Sequence, residues 1–92
     1  MITAIVFVKA DVASIPEVAE AIAAITGVSE VYSVTGQIDL IAMVRVMHHD
    51  DVATVVADQL NKVHGVSSTE THIAFRAYSK HDLESAFAIG LD

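Results

Sequence analysis

The sequence predicts an α+β domain of the order βαββαβ: a four-stranded antiparallel sheet with two helices on one face and a short C-terminal helical tail. Three observations predict it. Stretches rich in β-branched residues alternate with segments whose apolar residues recur at helical spacing. Each helical segment runs into a glycine followed by Val-Ser, as Gly27-Val28-Ser29 and again as Gly65-Val66-Ser67. The chain has 92 residues, enough for one domain.

Ile2 to Lys9 is apolar and β-branched and forms the first strand. Ser14 to Ile25 reads as a helix. Ser14 and Glu17 make a capping-box pattern, and Pro16 falls in the first turn, where no N–H is needed. Ile15, Val18, Ala19, Ile22 and Ile25 form one apolar stripe, and Gly27 stops the helix. Val28 to Thr35 is the second strand and Asp39 to Met47 the third, with Gly36-Gln37-Ile38 as the tight link of a hairpin. Asp50 suits the N-cap of a second helix, Asp51 to Val63, which buries Val52, Val55, Val56, Leu60 and Val63 and stops at Gly65. Val66 to Arg76 is the fourth strand, with Thr69, Thr71, Ile73 and Phe75 on one face and Glu70, His72 and Arg76 on the other. The tail opens with Ser79-x-x-Asp82 and carries Leu83, Ala86 and Phe87 at helical spacing, suited either to clasping a neighbour or to covering its own domain. The expected division is a domain over 1–77 and an extension over 78–92.

The two halves match at an offset of 38 residues: Ala4, Val6 and Val8 fall on Ala42, Val44 and Val46, and Val18, Ile22 and Ile25 on Val56, Leu60 and Val63. Two βαβ units folded into one sheet give the split βαβ, ferredoxin-like plan. That plan leaves one sheet face without helices. In the third strand Ile41, Met43, Arg45 and Met47 alternate with Leu40, Ala42, Val44 and Val46, so both faces are largely apolar. A strand with one wet face alternates apolar with polar. The open face is therefore expected to pack on a second copy of the chain. A 53% hydrophobic composition in so short a chain points the same way. Arg45, on that face, is expected to pair with Glu30 or Glu70 at the interface or to extend its stem outward.

Composition excludes several classes. Cysteine is absent, which removes thiol nucleophiles, disulfides and cysteine metal sites. A net charge of −7 repels phosphate backbones, so no direct nucleic-acid binding is expected. No apolar run reaches the ~18 residues of a membrane span, and the start lacks a basic leader; a cytoplasmic protein is expected. His48 and His49 are adjacent and point to opposite sides of an extended chain, and Asp50 serves the helix, so neither a metal nor a cofactor is expected.

Val31-Tyr32-Ser33-Val34-Thr35-Gly36-Gln37-Ile38-Asp39-Leu40 resembles the V-x-x-x-G-x-x-D-L signature of the effector-binding domain of the leucine-responsive/asparagine regulator (Lrp/AsnC) family. Gly65-Val66-Ser67-Ser68-Thr69-Glu70-Thr71 resembles its second mark, G-V-x-x-T-x-T. The resemblance covers about Ile2 to Arg76 and implies the RAM domain, for regulation of amino-acid metabolism. With the first strand at Ile2, it implies a stand-alone sensor without the family's DNA-binding helix-turn-helix. It further implies sheet-paired dimers assembled into rings, commonly octamers, that bind amino acids at clefts between dimers. A full-length family regulator or an enzyme of amino-acid metabolism is the partner expected downstream.

An amino acid needs donors for its carboxylate and acceptors for its ammonium, a few ångströms apart. Thr35, Gly36, Gln37 and Asp39 offer these parts, with Thr69 and Thr71 adding hydroxyls from the neighbouring strand. Gly36 lets backbone N–H groups approach a carboxylate, and Asp39 can accept from an ammonium. Each has a plainer use: Gly36 as the turn's glycine, Asp39 as an acceptor for backbone amides, the threonines as strand formers. Gln37 stands where the family pattern has an aromatic residue, so it offers an amide in place of a ring.

Two other classes fit the same topology. An ACT-like regulatory domain also binds amino acids at interfaces. A dimeric α+β barrel enzyme would use the open face as a pocket, with His72, Tyr32 and Arg45 as its polar groups, but no nucleophile–base pair emerges from their spacing.

Overall fold

A computed structural model describes residues 1–80. It contains β1 (Ile2–Ala10), α1 (Ile15–Ala23), β2 (Val28–Ser33), β3 (Leu40–Val46), α2 (His49–Val56) and β4 (Val66–Ala74), with 3-10 turns at Val12–Ser14 and Leu60–Lys62. The strands form one antiparallel sheet in the order β2-β3-β1-β4, the ferredoxin-like arrangement.

Register decides which side chains meet. Ala4, Val6 and Val8 of β1 pair with Val44, Ala42 and Leu40 of β3, and all six are fully buried. Val18 and Ile22 of α1, Val52, Val55 and Val56 of α2, and Leu60 close over them as a single core. Among the described residues every buried side chain is apolar, so this layer holds through area removed from water and close packing.

The turns after the helices show a reciprocal fit. Gly27 and Gly65 have φ of +102° and +100°. A Cβ on Gly27 would lie 2.7 Å from a methyl of Val55 in α2, and one on Gly65 would lie 2.6 Å from a methyl of Val18 in α1. Each helix thus seats a valine on the glycine that ends the other half.

Several boundaries differ from those expected. α2 ends at Val56 rather than Val63: the N–H of Ala57 and that of Asp58 both reach the Ala53 carbonyl, which widens the last turn, and the 3-10 turn at Leu60–Lys62 still delivers Leu60 to the core. His48, not Asp50, occupies the N-cap of α2, leaving Asp50 and Asp51 in the first turn, where carboxylates suit the helix dipole. Ser14 sits at the N-cap of α1 without a side-chain bond, because Val12–Ser14 is already wound into a 3-10 turn that hands the Ser14 N–H to the Asp11 carbonyl. β2 ends at Ser33 and β4 at Ala74, each two residues short of expectation. The tail helix with Leu83, Ala86 and Phe87 lies outside the described residues.

Candidate functional site

The face away from the helices follows from the pairing. Ile5 and Phe7 of β1 lie opposite Met43 and Ile41 of β3, and together they make an apolar band along the two central strands. These four are half-buried with no layer above them among the described residues. Polar groups rim the band. On the β2 side, Arg45 Nη1 donates to Glu30 Oε1 at 2.9 Å and to Ser29 Oγ at 2.9 Å, and the Tyr32 hydroxyl donates to Glu30 Oε2 at 2.7 Å. Of the two partners expected for Arg45, the chain supplies Glu30, within one subunit. The hydrogen bonds from Tyr32 and then Arg45 hold the Glu30 carboxyl below its ordinary range, and the Glu30 carboxylate raises the Tyr32 phenol. On the β4 side, His72 Nε2 meets Glu70 Oε2, and its ring lies 5.0 Å from that of Phe7.

At one corner of this face, the hairpin end meets β1 and β4 around a cleft of about 240 Å³. Phe7 and Lys9 border it from β1, Gln37 and Ile38 from the hairpin, and Ser68, Thr69 and Glu70 from β4. The register makes the grouping necessary: Lys9 lies opposite Ser68 and Phe7 opposite Glu70. One cation and one carboxylate therefore edge the same apolar-floored hollow.

The structure distributes the six expected site residues unevenly. Gln37 borders the cleft. Thr69 borders it as well, but its pairing with buried Val8 turns its side chain to the helix side, where Oγ1 donates to Asn61 Oδ1 at 2.6 Å; only its main chain is left for the cleft. Thr71 pairs with Val6, also facing the helix side, and is exposed there. Thr35 and Gly36 lie exposed in the hairpin bend beside the cleft without lining it. Gly36 has φ +109° and open space where a Cβ would be, so its conformation, rather than crowding, calls for glycine. Asp39 points back into the fold: Oδ2 accepts the Ala10 N–H at 2.8 Å, while its own N–H donates to the Val8 carbonyl at 3.0 Å. Sequence reasoning missed Phe7, Lys9, Ile38, Ser68 and Glu70. The alternation of β1 was the available signal, since it sets Phe7 and a terminal lysine on the open face.

Among the described residues no group of three or more His, Cys, Asp and Glu is placed to hold a metal ion, and no helix is long and apolar enough to cross a membrane.

A ferredoxin-like sheet with one open apolar face and a polar-edged cleft at its hairpin corner defines a class of small α+β domains suited to binding small molecules. Comparison with known proteins gives the family: the model of the Lrp/AsnC ligand binding domain matches residues 3–83, and the chain belongs to that family. The chain is similar to the HTH-type transcriptional regulator PH1916 of Pyrococcus horikoshii, with 42% identity over 59 residues, 64% of this chain and 39% of that protein. It is 41% identical over 66 residues to the HTH-type transcriptional regulator YugG of Bacillus subtilis, covering 72% of this chain and 39% of that one. The chain thus spans about two-fifths of the length of these curated relatives. Among solved structures, TTHA0845 from Thermus thermophilus superposes with a TM-score of 0.82 and 42% identity, over 87% of this chain and 100% of that one. The curated relatives are named as transcriptional regulators, and the matching family model is described as a ligand binding domain.

Proposed function

We propose that the chain is an effector-sensing module that binds an amino acid at clefts shared between subunits of a homo-oligomer. The observation that carries this reading is that Lys9 and Glu70, diagonal neighbours on the paired strands β1 and β4, both line one small hollow. An amino acid is a zwitterion; Lys9 matches its carboxylate, Glu70 its ammonium, and Phe7 and Ile38 its side chain. Gln37 adds an amide from the hairpin. A protein of the same fold from Neisseria meningitidis, NMB0573, was crystallised in complex with L-Met, which supports the ligand class. The cleft is open on its outer side, so a second copy completes it; Thr35, Gly36, Asp39 and Thr71 enter the site only in such a shared cleft. The open sheet face, apolar at its centre and polar at its rim, has the anatomy of a pairing surface. Dimers joined through it and assembled into a ring are the arrangement that leaves hairpin corners free to meet. In this reading the module acts in the cytoplasm, on a full-length regulator of the family by mixed assembly or on a metabolic enzyme by contact.

The test is a thermal-shift panel of the twenty amino acids on the whole chain, repeated with Lys9→Gln and Glu70→Gln. A ligand at a hundredfold excess over its Kd stabilises by about 2.7 kcal/mol. One or a few amino acids should raise Tm, and both variants should lose the response. No response across the panel, or an undiminished response in both variants, would overturn the reading.

A further inference from the structure

His72 touches two walls of the amino-acid cleft without lining it itself. Glu70 and His72 alternate with Thr71 along β4 and so share the open face. Glu70 lies opposite Phe7 and borders the cleft; His72 lies one step inward, opposite Ile5, and does not. Its Nε2 meets Glu70 Oε2, and its ring lies 5.0 Å from that of Phe7, tilted by 52°. An ionised carboxylate only accepts, so Nε2 carries the proton of this hydrogen bond.

The bond matters for what it prevents. Lys9 and Glu70 are diagonal neighbours on β1 and β4, and diagonal positions, ~7–8 Å apart, are within reach of long side chains. A lysine and a glutamate so placed can pair with each other, which would cancel both charges of the cleft. They do not: among the described residues the ion pairs are Arg45 with Glu30 and His72 with Glu70. Glu70 leans along the strand toward His72, away from the Ser68 end where Lys9 lies. Its Oε1 makes no hydrogen bond among the described residues. An exposed glutamate left to itself samples several rotamers. The imidazole is the stiffer partner, with two torsions and its ring against Phe7, so the contact fixes Glu70 rather than His72.

We infer, on the reading of the Lys9–Glu70 cleft as an amino-acid site, that His72 is its positioning residue: it holds Glu70 off Lys9, so that cation and carboxylate stay open to a zwitterion instead of closing on each other. With Glu70 held, Oε1 receives the ligand's ammonium while Lys9 receives its carboxylate. With Glu70 released, the two side chains join, and a ligand must first part them. His72 needs no contact with the ligand and no access to solvent. It stands in the band proposed to pair and acts from beneath a second copy, where removal from water strengthens its bond to the carboxylate.

The experiment follows the holding and the binding separately, on the full chain. His72→Phe keeps a ring against Phe7 and has no donor; His72→Gln keeps an N–H donor and has no ring. The His72 side chain is half-exposed, so neither variant should disturb the core. Without ligand, a nuclear Overhauser contact between the Lys9 ε-methylene and the Glu70 γ-methylene should be absent in the wild type and in His72→Gln, and present in His72→Phe. With ligand, the probes are the twenty amino acids. Those that raise Tm in the wild type should bind His72→Phe roughly tenfold more weakly, the loss of one charged hydrogen-bonding partner, and His72→Gln about as well as the wild type. The proposal is overturned by a Lys9–Glu70 contact in the wild type, by its absence from His72→Phe, or by equal binding to wild type and His72→Phe. If no amino acid binds the wild type, the reading of the cleft fails and this role with it; binding that ignores His72→Phe fails this role alone.

Discussion

The carboxylate of Asp39 accepts the backbone N–H of Ala10 at 2.8 Å, joining the start of β3 to the end of β1. Lys9 and Ala10 are where the β1–β4 register slips, so the Ala10 N–H falls beside the ladder and needs another acceptor. Asp39 supplies it. An aspartate in the family signature that looks like a ligand contact is thereby holding the wall of the cleft in place. Asp39→Ala should destabilise the ligand-free chain by about 1–3 kcal/mol, the penalty for stranding a buried donor. Asp39→Asn keeps an acceptor oxygen and should lose less. Urea denaturation without ligand reads both; wild-type stability in Asp39→Ala would rule out the structural role.

The glycines at the helix ends should differ from the glycine of the hairpin. Gly36→Ala meets open space and bears only the positive φ, about 1–2 kcal/mol. Gly27→Ala and Gly65→Ala add a Cβ at under 3 Å from Val55 and Val18, so each should lose about 2–5 kcal/mol. The valines are held in the core and have little room to yield. Chemical denaturation of the three variants gives the ranking. If Gly65→Ala proves no worse than Gly36→Ala, the close seating of Val18 on the turn is wrong.

The strands, the two helices and the covered face were legible because each is encoded locally. The alternation of Ala4, Val6 and Val8 or of Leu40, Ala42 and Val44 needs no knowledge of neighbours, and the same pattern separates Thr69 and Thr71 from Glu70 and His72. The end of α2 was missed because Leu60 and Val63 keep helical spacing while the chain between them changes winding; both windings bury the same residues. The cleft was half legible. Gln37 announces itself by its place in the hairpin, but Lys9 and Ser68 meet only through the pairing of β1 with β4, nearly sixty residues apart, and no local pattern encodes that register. Conversely, the hydroxyl of Thr69 looked available in the sequence, and Asn61 takes it in the fold.

Tyr32→Phe should move the titration of Glu30. Its carboxyl is held low first by the Tyr32 hydroxyl, then by Arg45. A depressed carboxyl stabilises the fold above the ordinary carboxylate range and loses that contribution as pH falls through the depressed value. The raised Tyr32 phenol works in the opposite sense: its contribution is present below the ordinary phenol range and is lost as pH rises through the raised value. In Tyr32→Phe the Glu30 midpoint should rise, staying below an ordinary carboxyl because Arg45 remains. Carboxyl-carbon NMR titration follows it directly, and an unmoved midpoint would mean that the hydroxyl does not reach Glu30 in solution.

Ile41→Lys tests the open face without touching the cleft. Ile41 lies opposite Phe7 in the middle of the apolar band and does not line the hollow. Its side chain is half-buried by its neighbours alone, so a lysine there can lift its ammonium into water in a lone subunit and should leave the helical content by circular dichroism unchanged. In a symmetric face-to-face pair the same substitution appears on both sides and brings two ammonium groups into one desolvated layer. Like charges so placed cost several kcal/mol, roughly a hundredfold or more in the dimer Kd. The scattering mass at micromolar concentration should therefore fall toward that of a single chain. A variant that folds and keeps the assembled mass of the wild type would show that the subunits do not meet through this band, and that Phe7, Ile5, Ile41 and Met43 owe their apolar character to something else.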